Sequence, residues 1–103
     1  MYKRLSEHPT KSEYAKILDE TITFVEIYYM DPPTQLIQSI YAQLLDIREF
    51  VVKSQSIVDD EEIFERYTLG AYAVKNFEKG NELRERLCDI FGGAMQYEEL
   101  DDK

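Results

Sequence analysis

His8 is the only histidine and Cys88 the only cysteine in the 103-residue chain, so chemistry that needs either residue has little to work with. A di-iron helical bundle requires two Glu-x-x-His pairs projecting into its core, and one histidine standing before Pro9 near the N-terminus supplies neither. The run Asp59, Asp60, Glu61, Glu62 lacks the alternating ligands and central glycine of a calcium loop. It suits the positively polarised start of a helix better. Cys88 as a nucleophile would need a base within hydrogen-bond reach, and no second histidine offers one. Its position beside Leu87 suggests a small buried hydrophobe instead. Gly70 stands alone, and Gly92-Gly93 are not followed by the Lys-Ser or Lys-Thr of a phosphate loop. The residue types therefore predict no catalytic, metal-binding or cofactor-binding residue.

The charge balance narrows the partners. Twenty-one acidic residues against 12 basic give a formal net charge of -9. Nucleic-acid affinity rests on Lys and Arg displacing counterions, and anionic membranes attract basic segments, so neither polyanion is an expected partner. A basic protein would be attracted, with complementary charge raising its association rate and selectivity. Solubility alone also favours such an excess. Eight tyrosines and five phenylalanines exceed what a core of this size readily hides, and tyrosine is favoured at interfaces. Tyr28, Tyr29, Tyr41 and Tyr72 are the tyrosines expected to reach the surface, where packing at a bundle edge is as natural a role as partner contact. A lone thiol excludes an intrachain disulfide and suits a reducing compartment. With no apolar run after the basic N-terminal residues and no 18-residue apolar stretch, the chain is expected in the cytoplasm. No residue pattern fixes an oligomeric state.

The elements that must position these residues read as helices. Length fits a single domain over 1–103, all-α, a bundle of about four helices. From Thr10 to Tyr29, apolar residues at Tyr14, Ile17, Leu18, Thr21, Val25 and Tyr28 make one stripe, with Thr10 and Glu13 at capping-box spacing. MDPPT breaks the chain. Thr34 to Lys53 carries Ile37, Ile40, Leu44, Ile47 and Val51 on one seam, with Leu36, Tyr41, Leu45 and Val52 beside it, as in a central helix. Asp59 or Asp60 caps a third helix running to about Lys79, with Ile63, Phe64, Tyr67, Ala71, Val74 and Phe77 inward and Gly80 as a left-handed terminus. Gly70 inside that helix suggests close helix approach. Asn81 caps a fourth helix with Leu83, Leu87, Ile90 and Phe91, which Gly92-Gly93 stop. Residues 94–103 read as an acidic, loosely ordered tail.

The third segment, RYTLGAYAVKNFE, resembles a pattern of the immunity proteins paired with NAD(P)+-glycohydrolase effectors of the type VI secretion system. Arg66, Thr68, Leu69, Gly70, Ala73, Val74, Lys75 and Phe77 carry the likeness. Glu82, Leu83, Leu87 and Asp89 continue it, and Gln43-Leu44 with Ile47-Arg48 precede it, over roughly residues 35 to 91. The N-terminal helix, the connector after the second helix and the tail match only in general character. The resemblance implies a helical, non-enzymatic antidote that binds the catalytic domain of a cognate toxin and blocks its use of NAD(P)+. It leaves open a toxin of other chemistry, such as ADP-ribosyl transfer. A helical adaptor or chaperone subunit is the alternative from another class. The motif is mostly apolar or small and reads as fold-specifying, with Gln43, Arg48, Arg66 and Lys75 as polar ties between helices. Toxin contact is expected instead at Tyr28, Tyr29, Tyr41 and Tyr72 and at the acidic run Asp59 to Glu62.

Overall fold

Thr10 opens the first helix as its spacing predicts: its Oγ1 accepts the Glu13 N–H at 3.0 Å, satisfying one of the donors that a helix start leaves unpaired. The structure is a computed structural model that describes residues 4–5, 9–57 and 59–101, so His8 lies outside the described residues. Helix α1 spans Lys11–Tyr28 and buries Tyr14, Ile17, Leu18, Thr21, Ile22 and Val25. Tyr28, counted with the inward stripe from its spacing, is instead 68% exposed. After the proline break, the Thr34 hydroxyl accepts the Ile37 N–H at 3.1 Å and starts α2, Gln35–Ile47. The helix runs on in π-helical form over Arg48–Lys53. Ile37, Ile40, Leu44, Ile47 and Val51 form the buried seam that the sequence indicates.

The third segment departs from expectation. Asp59 caps it, its side chain accepting the Glu61 N–H at 3.1 Å, but α3 ends at Arg66. Tyr67 is extended at φ -117 and ψ 142, and α4 begins only at Leu69 and ends at Asn76. One expected helix is therefore two. The break resets the helical phase, so Ile63, Tyr67, Leu69 and Ala73 turn inward while Phe64 is 63% and Val74 57% exposed. Ala71 is also exposed and Phe77 half-buried, which corrects the inward set read from an unbroken period. Gly80 has the positive φ expected of it, 87°, in the turn before α5. Asn81 caps α5, Glu82–Met95, by accepting the Arg84 N–H at 3.1 Å.

Gly92-Gly93 do not stop α5. The helix passes through them because Gly93 lets α1 come close: a Cβ there would lie 2.4 Å from Cε1 of the buried Tyr14 ring. The Tyr14 hydroxyl donates to the Ile90 carbonyl at 2.6 Å, and Arg86 donates to the Thr21 hydroxyl at 3.2 Å. Numbers rising on α1 thus meet numbers falling on α5, and the two helices pack antiparallel. Beyond Met95, the buried Tyr97 meets Tyr14 edge-on at 5.5 Å between centroids. The Lys11 N–H donates to the Asp101 carbonyl at 2.8 Å. No strand forms among the described residues, and the domain is all-α.

Candidate protein-binding surfaces

The α3–α4 break is built by α2. Gln43 and Asp46 lie three residues apart and therefore share one side of that helix. Gln43 takes both groups of Thr68, its Oε1 accepting the backbone N–H at 2.8 Å and its Nε2 donating to Oγ1 at 2.9 Å. Asp46 accepts from Arg66 through Nε at 2.8 Å and through the terminal nitrogen at 3.2 Å, and also from the Tyr67 hydroxyl. The Arg66 guanidinium holds the Asp46 carboxyl below its ordinary pKa. Burial, reinforced by the bond to Asp46, pushes the Tyr67 hydroxyl well above its ordinary value. These bonds reward an extended Tyr67 and an unwound Thr68 over a continuous helix. Arg66 and Thr68, read as motif positions, thus act as a latch. Asp46 and Tyr67 complete it, and neither carries a local sequence signal of that role, because their partners are about twenty positions away.

The remaining motif residues separate by burial. Leu44, Ile47, Leu69, Ala73, Leu83 and Leu87 are wholly buried, and Gly70 abuts Phe91, whose Cδ2 would lie 3.0 Å from a Cβ. Arg48 reaches Asp19 of α1 at 3.5 Å. Glu82 pairs with Arg86 one turn on, and Asp89 accepts from Arg4 at 3.1 Å and from the Leu5 N–H at 3.3 Å, fastening the N-terminal segment to α5. Lys75, expected as an interhelical tie, is exposed and makes none among the described residues.

The tyrosines singled out for contact divide by environment. Tyr28 is exposed at the end of α1 and packs on Phe24 at 5.0 Å. Tyr29 is half-buried between Phe24, at 6.0 Å, and Phe77, at 6.5 Å. Tyr41 donates to Glu26, a bond that raises its pKa. Tyr72 is held by the Thr68 and Ser39 side chains, which lower its pKa. Asp59, Asp60, Glu61 and Glu62 are all exposed. Asp59 and Asp60 share a recess with Met95, Gln96, Glu98 and Glu99 near the end of α5. None of the four tyrosines lines it.

One aromatic residue, Phe64, was missed as a surface candidate because the helical period placed it inward. Phe64 projects from α3 against the half-buried Phe91 of α5, 6.2 Å between ring centroids. Among the described residues no group of three or more His, Cys, Asp or Glu side chains is placed so that it could hold a metal ion. No described helix is long and apolar enough to cross a membrane.

No curated protein and no solved structure matches the chain. The Tsi6 family model matches residues 13–96, which takes the likeness across α1 as well as through the latch and the α4–α5 hairpin. The chain belongs to the Tsi6 family of type VI secretion immunity proteins.

Proposed function

We propose that the protein is an intracellular antidote that binds the catalytic domain of a cognate secreted toxin, an NAD(P)+ glycohydrolase, and occludes its active site without doing chemistry of its own. The family match carries this reading, and the resemblance of the 66–77 segment points to the toxin's chemistry. The geometry supports a binding role: a buried core fixes five helices, and large apolar side chains nevertheless stand exposed at Ile27, Tyr28, Phe64 and Val74. Isolated apolar residues on a surface are ordinary, but rigidly held aromatic groups are the type of side chain that anchors protein interfaces. Of the contact residues proposed from sequence, Tyr28 and the acids Asp59 to Glu62 are available at the surface. Tyr29, Tyr41 and Tyr72 are half-buried and, like Tyr28, have intramolecular partners.

The test is dose-dependent protection. Cells producing the toxin encoded in the same operon should lose NAD(P)+, and co-expression of this protein should restore the pool in proportion to its amount. The purified protein should itself consume no NAD(P)+. Continued depletion in the presence of a saturating, folded antidote would reject the proposed target, and turnover by the purified protein would reject the non-enzymatic reading.

A further inference from the structure

We infer that the toxin docks on the face where α3 meets α5, through a basic segment that covers Phe64 and places an arginine or lysine head in the adjoining acidic recess. This rests on the antidote reading and specifies the surface that serves it. Two helical registers join the apolar and acidic parts. Asp60 lies four residues before Phe64 on α3, and Met95 four residues after Phe91 on α5, so each shares a side of its helix with one of the paired rings. Asp60 and Met95 both line the recess, which therefore begins one turn from the Phe64–Phe91 contact. On the other flank, Gly70 touches Phe91, and Val74, one turn further along α4, is 57% exposed.

Charge selects the occupant. The recess, about 210 Å³, gathers the carboxylates of Asp59, Asp60, Glu98 and Glu99, with no Lys or Arg among its lining residues. No ion pair reaches these four groups among the described residues. A cation entering the recess is attracted by these carboxylates while its aliphatic stem or a neighbouring side chain covers the exposed Phe64 ring. A second copy of this chain is the wrong partner, because a two-fold contact through this face would bring acid towards acid.

The probe is the toxin recovered with the full-length protein from its native operon, its catalytic domain immobilised and binding followed kinetically. Phe64→Asp should lower affinity at least roughly 30-fold, chiefly through faster dissociation. Asp60→Asn with Glu98→Gln should slow association by about tenfold at low salt and flatten its salt dependence. Thr23→Ala, exposed on α1 and outside every surface named for contact, should change neither rate. Val74→Asp provides a second exposed reporter if Phe64→Asp does not fold. Unchanged binding by both folded Asp variants, or loss of binding in Thr23→Ala instead, overturns the docking face while leaving the antidote reading intact. Recovery of no toxin at all overturns the antidote reading, and the docking face with it.

Discussion

The seam between α1 and α5 and the junction between α2 and the α3–α4 break solve the same problem, holding helices together, by opposite means. At the seam, Tyr14 is wholly buried against Gly93, and the neighbouring Ile90 and Ala94 are buried with it. Close fit there leaves no space for extra atoms. At the junction, Gln43 and Asp46 grip Thr68, Tyr67 and Arg66 by directional hydrogen bonds near the surface. Apolar packing rigidifies the scaffold, whereas the polar latch imposes a backbone break that packing alone would not choose. The break resets the helical phase beyond it and turns Val74 outward, so the weaker region helps to decide which side chains a partner meets.

The largest effect should come from the seam. Tyr14→Ala removes a buried ring and its bond to Ile90 and should cost about 4 kcal/mol in denaturant unfolding. A loss below about 1 kcal/mol would show that the ring is not locked. Gly70→Leu should cost about 2 kcal/mol by overpacking, less than an equal insertion at Gly93, because the Phe91 ring it meets is half-buried and can turn while Tyr14 cannot. Equal costs at the two glycines would erase the contrast between a tight seam and a yielding one.

Breaking the latch should cost less. Asp46→Asn weakens bonds at a half-buried carboxylate near the surface, where partial screening limits their worth, and should destabilise by about 1 kcal/mol at neutral pH. Because the folded state depresses the Asp46 pKa, the stability it contributes is present above the ordinary carboxylate value. It is lost as pH falls below about 4 and through the depressed folded value. Wild type and Asp46→Asn should therefore converge in stability in acid, a comparison that thermal melts across pH would make. A gap that persists unchanged to low pH would remove the ion pair from the explanation. The smallest effect on stability belongs to Phe64→Ala, within about 0.5 kcal/mol as for other exposed positions. A larger loss would mean that Phe64 belongs to the core and not to the surface.

Much of the fold is legible from the order of residues because its causes are local. Helix starts at Thr10, Thr34, Asp59 and Asn81 follow from side chains that accept from amides two or three positions ahead. The buried stripes of α1, α2 and α5 follow from the helical period. The all-α class, the proline break, the acidic excess and the motif that signals the family are likewise present in the chain before it folds. Where competing effects come from distant residues, that reading fails. The period through 60–77 is continuous in sequence, and only the latch from α2, about twenty positions upstream, interrupts it. Gly92-Gly93 look like a helix stop until Tyr14, nearly eighty residues earlier, occupies the space that a side chain would need. The acids at 59–60 and those at 98–99 form one recess only because α3 packs across α5. Local hydrogen bonding and periodicity act within a few residues, so sequence determined the helices. Burial, ion pairing and surface formation depend on separations that exist only after folding, so tertiary structure decided where a helix broke and which faces remained for a partner.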